Sequence, residues 1–139
     1  LTEATAEFID IEDRTDPTQS VLGGARYLRS LYDRIDESVT EPDRTWFALA
    51  AYNAGLGHLL DARRIARQLG KDPDSWRQIK TTLPLLSDPE WYNKVKHGRA
   101  PGQQAVAYVT RIRSFYDILA ELRPESPTLK DIEIAVPAL

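Results

Sequence analysis

Among its 139 residues the chain has no cysteine and no methionine, and only two histidines. Without cysteine there is no disulfide framework, no thiolate nucleophile and no thiolate-held zinc or iron–sulfur centre. His58 and His97 stand 39 positions apart, so no metal site and no cofactor is expected. Basic residues are in the minority, 18 Lys and Arg against 21 Asp and Glu for a net charge of −3. That balance argues against nucleic acid as a partner, since phosphate-backbone binders carry a basic excess. No apolar run approaches the ~20 residues of a membrane span, and no basic segment leads into a short apolar one. The missing methionine has its own meaning. A complete translation product starts with Met and this sequence starts Leu1-Thr2-Glu3, so it reads as a piece of something longer.

Apolar residues make up 42% of the chain and charged residues 28%, which is not the composition of a disordered protein. A chain of this length buries roughly 68–70% of its unfolded surface, enough for one domain with a proper core.

Helix signals dominate and strand alternation is nearly absent. Asp16-Pro17-Thr18-Gln19 combines an Asp cap, Pro at the first helical position and a capping-box Gln. Behind it Val21, Leu22, Ala25, Leu28, Leu31 and Ile35 recur at helical spacing, predicting a helix to about Asp36. Gly23-Gly24 inside it suggest close approach of a neighbouring helix. Thr40-Glu41-Pro42-Asp43 repeats the cap pattern and opens a second helix through Trp46, Phe47 and Ala51, stopping at Asn53-Ala54-Gly55. A third follows Gly57 and ends at Gly70. A fourth starts at Asp72-Pro73 and is broken by Pro84 and Pro89. Residues 88 to 102 read as a loop with aromatic anchors. A long helix from Gln103 to Leu122 carries the stripe Val106, Val109, Ile112, Phe115, Tyr116 and Leu119, and Pro124 ends it. The tail beyond, with Ile132-Glu133-Ile134, is expected along the surface. The expected fold class is all-α and non-repetitive.

By pattern alone the chemistry is thin. Tyr52 and Asn53 form a polar pair at the end of an otherwise apolar helix, where an Asn is also an ordinary C-cap device. His58 reads as a surface or capping residue, and Arg63, Arg64 and Arg67 as a solvated helix face. Trp91-Tyr92 could stack on sugars or sit in the core.

Four stretches do more when taken together. Ala50-Ala51-Tyr52-Asn53-Ala54-Gly55 resembles the Ala-Tyr-Asn-Ala-Gly signature of lytic transglycosylases with the goose-type lysozyme fold. Leu1-Thr2-Glu3-Ala4-Thr5-Ala6 is similar to the end of that family's Gly-Leu-Met-Gln segment. Asp16-Pro17 through Gly23-Gly24-Ala25-Arg26-Tyr27-Leu28 resembles the helix that follows it, and Tyr108-Val109 with Ile112 resembles the Tyr-Val-x-x-Ile helix. Within the family, residues 13 to 122 look most like the membrane-bound murein transglycosylase F branch. The resemblance implies a lysozyme-like helical domain over residues 1–123, incomplete on its N-terminal side, followed by a tail at 124–139.

The family cleaves the bond between N-acetylmuramic acid and N-acetylglucosamine with one glutamate. That residue protonates the leaving oxygen, and the sugar's own C6 hydroxyl then attacks, leaving a 1,6-anhydro end. A neighbouring hydroxyl at high effective concentration replaces the second carboxylate that most glycosidases need. The resemblance puts this glutamate in a Glu-Ser motif upstream of Leu1, so the chain as given is expected to hold no catalytic acid and to be inactive. Glu3, Glu7 and Glu12 lack the family context. Tyr52, Asn53, Gly55 and Tyr108 are implied to bind substrate, with Tyr108 also supporting the acid and Trp46 and Phe47 contributing apolar surroundings. Relatives often carry Glu near Gly102-Gln103-Gln104-Ala105, where Gln stands here. The implied partners are peptidoglycan strands, muropeptides and a solute-binding-like regulatory module of the same parent, in the periplasm at the outer membrane of a Gram-negative bacterium. The alternative is a non-catalytic peptidoglycan-binding or scaffold domain. Without the upstream segment, Trp46, Phe47, Val109 and the Val21–Leu31 stripe are expected to lose partners.

Overall fold

The computed structural model describes residues 16–122. Among them the chain forms α1 (Pro17–Arg34), α2 (Asp43–Ala54), α3 (Leu56–Gln68), α4 (Trp76–Thr82), a 3₁₀ turn (Leu83–Ser87), α5 (Pro89–Tyr92) and α6 (Gly102–Leu122), with no strand. The all-α expectation holds there. The Leu1–Ala6 motif and the 124–139 tail lie outside the described residues.

Local chemistry explains the starts and stops. Asp16 accepts a hydrogen bond from the Thr18 amide at 2.8 Å and Pro17 opens α1. At the second start the expected Thr40 cap is replaced by Glu41. Its carboxylate accepts from the Thr45 hydroxyl at 2.8 Å and from the Tyr32 phenol at 2.6 Å. Arg44 reaches back and donates to the carbonyls of Ile35 (2.8 Å), Asp36 (3.1 Å) and Tyr32 (3.2 Å), satisfying the end of α1. Gly55, at φ +95°, turns the chain sharply from α2 into α3. The fourth helix begins later than Asp72-Pro73, because Asp72 closes a turn onto the Asp74 amide instead. It starts at Trp76, whose N–H is taken by Asp43 of α2 at 3.2 Å. A cap supplied from 33 residues away leaves no local sequence signal. The expected loop at 88–102 contains α5, started by Asp88 accepting from the Glu90 amide.

α2 is the central element and packs against α1, α3 and α6. Phe47, Ala48, Ala50 and Ala51 on it have no solvent exposure. Leu31, Leu59, Ile65, Ile79, Leu83, Leu86 and Val109 close around it. Each such side chain contributes about 1.5–3 kcal/mol by leaving water. Trp46, Phe47 and Val109, expected to lose partners, are buried within the described residues: α6 covers α2, and Phe47 meets Trp76 edge-on at 6.2 Å. The stripes overshoot elsewhere. On α1 the stripe is exposed at its start, Val21 at 71% and Leu22 at 45%, and buried at its far end, where Leu31 and Ile35 join Tyr32 in the core. On α6 burial ends at Val109, while Phe115 is 66% exposed. Periodicity shows which face a helix could bury, not how far its neighbours extend.

Candidate functional site

Two helices bring the polar residues together. α2 ends in the turn Asn53-Ala54-Gly55, and the Gly55 N–H bonds the Ala51 carbonyl at 2.8 Å. Backbone alone therefore closes this helix end. Asn53 is exposed and its side chain makes no hydrogen bond among the described residues, so it is not the capping device that its position allowed. On α6, Gln104, Ala107, Tyr108 and Arg111 fall at i, i+3, i+4 and i+7, one face of the helix. With Gln103 and Asn53 they line a cleft of about 590 Å³.

Tyr108 is braced from behind. Its ring lies parallel to that of Tyr52, 5° between planes and 6.4 Å between centroids, and Tyr52 in turn leans on Tyr27 of α1 at 5.6 Å. A Cβ on Gly24 would stand 3.1 Å from the Tyr52 hydroxyl, so Gly24 gives the close approach that the glycine pair suggested. Burial, and then the neighbouring Tyr52 phenol, push the Tyr108 phenol above its ordinary pKa. Tyr108 thus stays an O–H donor well past neutral pH.

Of the four residues expected at a site, Asn53 and Tyr108 line the cleft. Tyr52 stands behind Tyr108, and Gly55 shapes the corner. Trp46 and Phe47 lie in the core: Trp46 meets Tyr116 edge-on at 6.2 Å, with the Arg113 guanidinium 4.8 Å over its ring. Ala107 and Arg111 were not anticipated, although their spacing from Tyr108 would have revealed them. Among the described residues no carboxylate lines the cleft, and no group of His, Asp and Glu could hold a metal ion.

A second polar cluster sits on α3. Asp61, 2% exposed, accepts from the His97 amide at 2.8 Å and the Lys96 amide at 3.3 Å, and its carboxylate lies 3.2 Å from His97 Nδ1. His97 packs over Gly57 and stands edge-on to His58 at 6.2 Å. His58 is therefore a packing residue, half-buried, with no hydrogen-bond partner for its Nδ1 among the described residues. Arg63, expected in solvent, is buried and paired with Asp74 and the Pro73 carbonyl, while Arg64 and Arg67 are exposed.

Residues 2–75 match the model of the transglycosylase SLT domain. The chain belongs to this family. Its helical architecture agrees with the lysozyme-like expectation, and the SLT match takes in α1, α2, the Tyr52-Asn53 turn and α3. The chain is 50% identical over 134 residues to the membrane-bound lytic murein transglycosylase F of Marinobacter nauticus, covering 96% of this chain and 27% of that protein. It is 56% identical over 120 residues to the protein of the same name in Maricaulis maris (86% and 26%). The one in Shewanella denitrificans is 45% identical over all 139 residues, 28% of its length. This SLT chain thus spans about a quarter of the curated relatives it matches. Their name calls them membrane-bound; among the described residues no helix is long and apolar enough to cross a membrane.

Proposed function

We propose that the Asn53–Tyr108 cleft is one wall of the glycan groove of a peptidoglycan lytic transglycosylase. The observation that carries this reading is the convergence of Asn53, from the Ala-Tyr-Asn-Ala-Gly turn, and Tyr108, from the Tyr-Val-x-x-Ile helix, on one cleft. These two motifs are 55 residues apart in sequence. The lining suits a sugar polymer: the amides of Asn53, Gln103 and Gln104 and the Tyr108 phenol can bond hydroxyl and acetamido groups.

In this reading residues 1–123 are the catalytic module and 124–139 a tail. The general acid, a glutamate upstream of Leu1, protonates the glycosidic oxygen between N-acetylmuramic acid and N-acetylglucosamine. Asn53 and Tyr108 hold the sugar so that its C6 hydroxyl attacks the anomeric carbon, giving a 1,6-anhydro product, while Tyr52 keeps the Tyr108 ring in place. The parent works in the periplasm at the outer membrane, on glycan strands and muropeptides, under a solute-binding-like module of the same chain.

The test has two arms. The chain as given, incubated with murein sacculi, should release no 1,6-anhydromuropeptides by mass spectrometry, because no described residue of the cleft supplies an acid. Its amide NMR spectrum should nonetheless shift around Asn53, Gln104 and Tyr108 on titration with a chitooligosaccharide. Anhydro product from this chain would overturn the placement of the acid; no shift at the cleft would overturn the groove.

A further inference from the structure

We infer that Arg111 reads a carboxylate on the strand in the cleft, so that the site selects acid-bearing sugars over neutral ones. This rests on the glycan-groove reading above and adds the substrate class within it. Among the described residues Arg111 is the only charged one lining the cleft. Among the described residues its guanidinium has no ion pair and no hydrogen bond. Several other arginines are committed, Arg44 to the carbonyls at the end of α1, Arg63 to Asp74 and Arg113 to the face of Trp46, while exposed ones such as Arg64 and Arg67 lie on α3, away from the cleft. On its own helix, the positions one turn away from Arg111 are Ala107, Tyr108, Ser114 and Phe115, none of them acidic. Asp117, the nearest carboxylate along α6, lies six residues on and roughly 240° round the helix.

An unpaired guanidinium among neutral amides and a phenol has a definite chemical complement. It offers two parallel N–H donors to a planar acid, while Asn53, Gln103, Gln104 and Tyr108 accommodate uncharged hydroxyl and acetamido groups. A chitin-like strand would satisfy the neutral donors and leave Arg111 idle. A murein strand carries carboxylates in register with every second sugar, from either of two sources. One is the lactyl ether of muramic acid once its peptide is removed; the other is the acids of the attached peptide stem. Arg111 stands one turn beyond Tyr108 on the same helix face, so an acid appended to the sugar beside Tyr108 falls within its reach.

The experiment measures affinity of the chain for three ligands at low salt: a neutral chitooligosaccharide, a peptide-free murein strand with free lactyl carboxylates, and the same strand bearing peptide stems. At least one acidic strand should bind roughly tenfold more tightly than the neutral sugar, and the preference should shrink with added salt. The tighter of the two acidic strands identifies the carboxylate read. Arg111→Gln should bring the acid-to-neutral ratio close to one, and Arg111→Lys should restore part of it as a point charge. Melting curves confirm that the variants are folded. An acid preference that survives Arg111→Gln, or a wild-type chain that binds acidic and neutral strands equally, overturns the inference and leaves the groove standing. If none of the three binds, the groove reading itself fails.

Discussion

Replacing Asp61 by Asn tests what holds the segment between α5 and α6. The carboxylate is buried and accepts from two backbone amides, at 2.8 and 3.3 Å, besides facing the His97 ring at 3.2 Å. Asn keeps the shape but supplies one acceptor oxygen where two were used. Its amide hydrogens would then face a donor, whichever way the group is flipped. An unsatisfied buried donor costs about 1–3 kcal/mol, and here the exposed loop amides can partly recover water, which favours the lower half of that range. Asn also attracts the neighbouring imidazole less than a carboxylate does, so about 2 kcal/mol is expected in all. For a domain of this size that is roughly 5–10 °C in melting temperature. Asp61→Ala should cost at least as much, whereas His97→Ala, which keeps both backbone donors engaged, should cost less than half. Thermal and urea unfolding of the three variants give the comparison. An Asn variant that melts with wild type, or a His97→Ala loss equal to that of Asp61→Ala, would show that the ring and not the backbone carries the attachment.

Gly57→Ala should destabilise by about 1–2 kcal/mol, because the new methyl would lie 2.5 Å from the His97 ring. In a His97→Ala background the same change should stabilise by up to ~1 kcal/mol through helix propensity, and denaturant melts of both pairs check the change of sign. Asn53→Ala should leave melting within about 0.5 kcal/mol while lowering affinity for a chitooligosaccharide by roughly 2–10-fold, the worth of one hydrogen bond; calorimetric titration beside a melt separates the two. Burial and the Glu41 hydrogen bond push the Tyr32 phenol up to about 12 from 10.0. The native state therefore holds this proton more tightly than the unfolded chain. Its contribution to stability is complete below pH 10 and fades as pH rises through about 12. Absorbance titration at alkaline pH should show a tyrosine ionising near pH 12, and Tyr32→Phe should remove that component while the raised Tyr108 remains.

Legibility followed how local each signal was. Asp16-Pro17 and Gly55 announced α1 and the α2–α3 corner, because a cap and a positive-φ glycine act within a few residues. The start of α4 was misjudged because its cap, Asp43, comes from another helix. Thr40 looked like the cap of α2, yet the longer Glu41 side chain reaches both Thr45 and Tyr32 and displaces it. Arg63 looked solvated because nothing in an Arg-rich run shows that Asp74 returns to meet it. At the cleft, the motifs pointed to Asn53 and Tyr108 but not to Arg111, which occupies a variable position of its motif and enters only through the geometry of the α6 face.

Asp61 and Arg63 are two residues apart on α3, and so point about 200° away from each other. One grips the Lys96–His97 backbone, the other Pro73 and Asp74. A cylinder tied by spokes on opposite sides can neither roll nor slide, which makes α3 a fixed frame from which motion elsewhere can be surveyed. Arg64 and Gln68, one turn apart and both exposed, offer paired attachment points for a rigid bifunctional spin label. Distances measured from there to a label near Gln104 would report movement of the α6 wall alone, since the other end of the ruler stays still.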